Sequence, residues 1–432
     1  MGNRIIQRVT GHTMARRMLA AFCAAVISIG SAAAAPVNQA SAATPAWNTL
    51  STKLKRSSYG FFIWRSEHGA SKLERSTAAD AAHILMNSAL PTHKDIGGTG
   101  DSTSLENMIN GAKAAVGVNR FRASLTNEPC RTDLPKGKGR KCDDPNRRLA
   151  ALQVSDTYMA QAQVNANYSD TVIGHAEMNG QDYDSDYSSF MGIAENAAWN
   201  FAVFSSGYYP SAISQWYGEK SHYDSGNTDY AATGHYLNMT DGDFTMTGFG
   251  ICTRGTLFPV TFVQRYITPS WHSGYAQSAD SYLREVLDYA AMVAEPQNMY
   301  RLYNPNSGEH FYTKEKGERD ILVTKGWKHE GVGWVAPSVS GMPVYRMYNS
   351  LAGDHHYTMN EAERDMLWKA GWNYEGIGWY SAENASRVQL YREYNPNAKT
   401  GTHNYTLNGN EDRMLQRKGW KSEGLAWYAA HA

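Results

Sequence analysis

The last third of the chain is one sentence written three times. RLYNPNSGEHFYTKEKGERDILVTKGWKHEGVGWVAP is followed by RMYNSLAGDHHYTMNEAERDMLWKAGWNYEGIGWYSA and then by REYNPNAKTGTHNYTLNGNEDRMLQRKGWKSEGLAWYAA. Tyr300, Tyr345 and Tyr391 mark the step, and Trp327, Trp372 and Trp420 keep it apart from a small insertion. A fixed period of this size means one supersecondary unit used repeatedly. Each unit reads as a strand (YRLYN), a hairpin strand (EHFYT), a short helix (ERDILVTKGW) and a last strand (GVGWV). Three copies and no more predict an α+β module closed with pseudo-threefold symmetry, not an open solenoid. Trp327, Trp334, Trp372, Trp379, Trp420 and Trp427 fall at equivalent places, which is first of all a packing signature. The sharper reading is a face of flat rings for sugars. His310, His355 and His403 recur once per unit and are expected to hydrogen-bond the strand turns, with a shared pocket as the alternative.

The other end reads as a leader. Residues 1–42 hold Arg4, Arg8, Arg16 and Arg17 and no acid, then the apolar run MLAAFCAAVISIGSAAAA and small residues up to Ala42. That is a secretory signal, with cleavage expected after Ala42 and a more usual n-region if translation starts at Met14. The whole chain has 41 basic and 41 acidic residues; the leader takes four arginines and no acid with it, leaving a net charge of −4. No clustered basic face points to nucleic acid. No later segment approaches about 18 uninterrupted apolar residues, so no membrane span is expected in the mature chain. The composition therefore predicts a secreted, extracellular or wall-associated protein.

Between leader and repeats, residues 43–100 carry two amphipathic patterns (SSYGFFIWRSEHGAS and AADAAHILMNSAL) and form a helical lead-in. After the break at Gly97–Gly98 a helix is expected, capped by Asp101 or Ser102, with Leu105, Met108, Ile109, Ala112, Ala115 and Val116 on one face. Another is expected to start near Pro145 and run through ALQVSDTYMAQAQVNA. A short helix near 209–218 and two strands, FTMTGFGIC and FPVTFVQRY, follow. Helices and strands in this order predict an α/β layered domain over 101–270. A helical linker over 271–296 then leads to the repeats at 297–432.

Four residues in this middle region carry chemistry: His175 in IGHAEMNG, Glu195 in IAENAAW, Glu219 in QWYGEK and His235 in TGHYLN. These contexts, in this order over roughly 103–270, resemble the CAP superfamily of cysteine-rich secretory, antigen 5 and pathogenesis-related 1 proteins. The resemblance implies a three-layer α-β-α sandwich, and the family places its four site residues at these positions. Where the family usually shows Gly-Glu-Asn this chain has Ala194-Glu195-Asn196. The C-terminal copies in turn resemble an uncharacterised tandem repeat of secreted proteins of Gram-positive bacteria.

Two imidazoles, His175 and His235, can take zinc or another divalent metal and leave positions open for water. Glu195 or Glu219 would then be the catalytic general base toward that water. The competing readings are a cleft that binds a ligand without turnover, and a polar network that only satisfies its own members. Gly234 is expected to give a tight backbone that aims His235 into the cleft. Glu177 is read as an exposed loop acid and His222 as a solvent-facing residue; no Gly-x-Ser-x-Gly elbow accompanies Ser221.

The reading is a cell-envelope protein that presents a His/Glu cleft; if it is an enzyme, metal-assisted hydrolysis of a peptide or wall-associated substrate fits best. Its repeats would hold it to peptidoglycan or another wall glycan. The alternative is a non-enzymatic lipid-, ion- or glycan-binding surface protein. A host-facing adhesin follows only from secretion and family precedent.

Three cysteines remain after the leader. Cys252 sits in an apolar strand and is expected to be a buried thiol. Cys130 and Cys142 flank the polar loop RTDLPKGKGRK, and an oxidising compartment favours a bridge between them, contributing roughly 3 kcal/mol by loop entropy. Alkylation of the unfolded, unreduced mature protein should therefore label one cysteine per chain, and three after reduction.

Overall fold

The computed structural model describes residues 45–88, 95–125, 131–132, 140–141, 149–175, 193–206, 208–227, 229–271, 274–382 and 388–432. The expected leader, both cysteines of the expected bridge (Cys130 and Cys142) and Glu177 lie outside these residues. No helix among the described residues is long and apolar enough to cross a membrane.

The N-terminal two thirds is a mixed α/β body. Helices α1 (Ser58–His68) and α2 (Lys72–Asn87) are followed by α3 (Leu105–Ser124), α4 (Asp156–Ser169), α5 (Ala212–Gly218), α6 (Lys220–Asp224), α7 (Tyr230–Thr240) and α8 (Ala279–Val293). A five-stranded sheet is built from β1 (Gln153–Val154), β2 (Ile193–Asn200), β3 (Met246–Cys252), β4 (Val260–Ile267) and β5 (Gln277–Ser278), in the spatial order β2-β4-β3-β1-β5. All its pairings are antiparallel except β1 with β3. Alternation along the strands divides the core between the two faces. Phe249, Ile251, Phe262 and Tyr266 join the large cluster with α1, α2, α3 and α8. Met246, Cys252, Val263 and Ile267 face α4 on the other side.

Two helix starts differ from expectation. Ser104 caps α3 through the Asn107 amide, while Asp101 and Ser102 are buried. Asp101 accepts from the Thr103 amide and hydroxyl and from Asn167, so it fixes the loop instead of capping the helix. Helix α4 begins at Asp156, because Gln153–Val154 are taken up by the sheet as β1.

The lead-in shares the core of the sheet domain. Arg65 of α1 is 1% exposed and pairs with Glu74 of α2 (2.9 Å), Asp156 at the start of α4 (3.0 Å) and Glu285 of α8 (3.2 Å). A guanidinium presents its donors in a rigid fork, which suits a hub between four helices.

The C-terminal region consists of three three-stranded sheets, each with a helix. The first holds β6 (Pro296–Tyr303), β7 (His310–Thr313), α9 (Lys316–Thr324) and β8 (Lys328–Pro337). The second holds β9 (Pro343–Asn349), β10 (Asp354–Thr358), α10 (Glu361–Lys369) and β11 (Asn373–Tyr380), and the third β12 (Val388–Tyr394), β13 (His403–Thr406), α11 (Gly409–Arg417) and β14 (Lys421–Ala429). In each the first strand is central. Trp334, Trp379 and Trp427 are at most 2% exposed and pack together with centroids 5.4–5.9 Å apart. Around them the Tyr312 hydroxyl donates to the Tyr405 carbonyl, Tyr405 to Tyr357 and Tyr357 to Tyr312, at 2.9–3.2 Å. Arginines close the rim: Arg301 pairs with Glu411, Arg346 with Glu318 and Arg392 with Glu363.

One position breaks the pattern. The first sheet buries Leu302, the second Met347, and the third Glu393. Burial, then the neighbouring Asp412 carboxyl, pushes Glu393 up to about 7. The folded state therefore holds the Glu393 proton more tightly than the unfolded chain does. Its stabilising neutral form is fully present below the ordinary carboxylate range and is lost as pH rises to about 7. Urea midpoints of Glu393→Leu should match wild type near pH 4 and exceed it at pH 8.

Candidate functional site

The site lies at β2, the edge strand of the five-stranded sheet. Strand alternation sends Glu195 toward the α4 face and Asn196 toward the other. Each of the two His–Glu pairs reaches the edge from its own side.

On the α4 side, Trp199 donates to the Ser169 carbonyl (2.7 Å) and the Ser169 hydroxyl to the Gly174 carbonyl (2.7 Å). These bonds hold the turn that carries His175. His175 Nδ1 donates to Glu195 Oε1 at 2.8 Å, and Asn165 of α4 donates to Glu195 Oε2 at 2.6 Å. The Arg265 guanidinium stands 3.7 Å from the same oxygen. The Glu195 side chain has no solvent exposure, so its charge is answered wholly by protein groups.

On the other side, Trp216 of α5 is fully buried and donates to the Ala197 carbonyl of β2 at 2.8 Å. This fixes α5, and Glu219 follows directly as its C-terminal cap. His235 Nδ1 donates to Glu219 Oε1 at 2.6 Å, while Oε2 accepts the backbone amides of His235 (2.9 Å) and Tyr236 (3.3 Å). The two imidazoles face one another with centroids 6.5 Å apart.

All four residues singled out from the sequence thus come together as two braced imidazoles. With the proton of each ring on Nδ1, Nε2 carries the lone pair, the tautomer that a carboxylate partner imposes on a metal-binding histidine. Among the described residues no group of three His, Cys, Asp or Glu side chains is arranged to hold a metal.

Sequence reading missed the amide relay behind the site. Asn196 donates to the His235 carbonyl (3.1 Å), Asn238 to Asn196 Oδ1 (2.9 Å) and the Tyr230 hydroxyl to Asn238 Oδ1 (2.9 Å). Asn196 directly follows Glu195, which was the available signal; Asn165 and Asn238 gave none. Gly234 also acts differently from expectation. It lies inside α7, where a Cβ would stand 2.9 Å from the Tyr230 ring, so it admits that ring and makes no tight turn. His222 lies on α6 and is exposed, as expected. Cys252 is a buried thiol as expected, pushed up to about 11 by burial.

Residues 116–266, which contain all four site residues, match the family model described as the Cysteine-rich secretory protein family (CAP). The chain carries a CAP domain. Residues 298–430, which span the three small sheets, match a domain of unknown function (DUF5648). No curated protein matches the chain.

Glu219 in the CAP domain answers three donors at once, two of them backbone amides of α7. Glu219→Ala should lower stability by about 2 kcal/mol in urea denaturation. Nitrogen NMR should show that His235 loses its fixed tautomer, and Glu219→Gln, which keeps an acceptor oxygen, should lose less stability.

Proposed function

We propose that the chain is a secreted CAP-domain protein whose cleft takes a divalent cation through His175 and His235. The observation that carries this reading is the bracing: each imidazole has its Nδ1 held by a carboxylate and both carboxylates are saturated with protein donors. Such partners orient a ligating ring and raise its basicity. Glu195 and Glu219 then act as positioning residues, and their engagement favours binding over a mechanism in which either abstracts a proton from water. A bound zinc would supply Lewis acidity and a more acidic water, which is the route to hydrolysis if turnover occurs. The protein's part in either case is to hold the two rings by their Nδ1 atoms, with their centroids 6.5 Å apart.

The C-terminal module is proposed to be one unit used three times about a closed threefold axis and to retain the protein at the cell surface. The cyclic tyrosine bonds and the cyclic Arg–Glu pairs support the closure. Burial of Trp334, Trp379 and Trp427 assigns those rings to packing. A glycan face would therefore draw on the half-buried Trp327, Trp372 and Trp420.

Calorimetric titration of the mature chain with zinc tests the cleft. Stoichiometric binding is expected, abolished in a His175→Ala/His235→Ala double variant and weakened about 10- to 100-fold in Glu195→Gln. Absence of binding to the wild type, with the variants merely less stable, would make the four residues a structural network.

A further inference from the structure

The CAP domain and the second small sheet enclose a cleft of about 800 Å³ that plays no part in the His/Glu site. This is the size range of ligand pockets, which favour junctions between structural units. One wall is a single face of α10, where Glu361, Asp365 and Lys369 succeed one another at four-residue intervals. Met342, Met359, Met366 and Tyr345 add an apolar, adaptable lining. Lys113 of α3 and Tyr208 close the opposite side.

Most charges in this cleft are already answered. Lys113 is 6% exposed, donates to the Gly341 carbonyl at 2.6 Å and lies 5.4 Å over the Tyr208 ring. Asp365 pairs with Arg364 at 2.7 Å. Two charges remain. Glu361 Oε1 accepts from the Tyr345 hydroxyl at 3.0 Å, but Glu361 Oε2 is buried with no hydrogen-bond partner among the described residues. Lys369, at the other end of the helix, is exposed and has no ion pair among the described residues.

Eight residues of helix separate these two, about 12 Å along the axis at 1.5 Å per residue. An extended peptide gains about 3.3–3.6 Å per residue, so three or four residues cover that distance. An organic amine alone would leave Lys369 unanswered, and a carboxylate alone would leave Glu361. Methionine walls adapt to side chains of varied shape. We propose that this cleft binds a short apolar peptide with free ends, its amino group at Glu361 and its carboxylate at Lys369. The site is independent of the proposed cation cleft.

The probe is a four-residue alternating alanine–leucine peptide, titrated calorimetrically into the mature chain beside its N-acetylated and C-amidated forms. The free peptide should bind, with each blocked form at least tenfold weaker. Glu361→Gln should erase the penalty for acetylation and Lys369→Met that for amidation. The His175→Ala/His235→Ala variant should bind as wild type does. In carbon-labelled methionine spectra of the wild type, the methyl groups of Met342, Met359 and Met366 should shift together on binding. Equal affinity of free and blocked peptides for the wild type, or methyl signals that stay in place, would overturn the proposal without reliance on any variant.

Discussion

The position of the whole CAP site follows from how closely α4 lies on β3. A Cβ on Gly248 would stand 2.1 Å from the Tyr158 carbonyl carbon, and one on Gly250 would stand 2.0 Å from the Ala162 carbonyl oxygen. Only hydrogen at those two places lets helix backbone meet strand backbone. That approach sets Asn165 against Glu195 across the sheet edge and leaves the chain, as it exits α4, beside the same carboxylate. A helix held farther away would separate His175 from its partner. The two glycines thus govern the geometry of a site to which neither contributes an atom.

Polar groups are satisfied in two contrasting ways along the chain. In the N-terminal body, single buried residues serve as hubs. Arg65 draws three acids from three other helices, and Arg122, fully buried, donates to the carbonyls of Ala150, Met239 and Asp241. Such hubs specify which helices meet, because an unpaired buried charge is costly. In the C-terminal module the same need is met cyclically: each unit gives one neighbour a tyrosine hydroxyl and an arginine and receives the same pair from the other. No sheet there closes its polar groups alone, so each depends on its two neighbours. Glu393 is the departure, a carboxyl in a slot that the other two sheets fill with leucine and methionine.

Much of this was legible in the residues. The periodic tyrosines and tryptophans announced three similar segments, and the apolar alternation of TGFGIC and VTFVQRY marked β3 and β4, because both signals are local. Strand β2 was not legible, since IAENAAWN places Glu195 and Asn196 where an apolar strand residue is expected. Its buried polar side chains are tolerated because Asn165, His175, Asn238 and the His235 carbonyl hydrogen-bond them, and those partners arrive only in the tertiary structure. The start of α4 was misplaced for a related reason. Gln153 and Val154 have no strong strand signal of their own and are drawn into the sheet by Met246 and Thr247.

By itself the sequence determined the composition of the parts: an α/β body with two histidines and two glutamates in family contexts, and a further C-terminal domain. Tertiary structure decided the pairing. Nothing in the spacing says that His175 takes Glu195 while His235 takes Glu219, or that both carboxylates spend their lone pairs on the protein. Those outcomes depend on which backbone amides and carboxamides arrive from α4, α5 and α7. They arrive there because glycine hydrogens and a buried tryptophan fix the distances between layers.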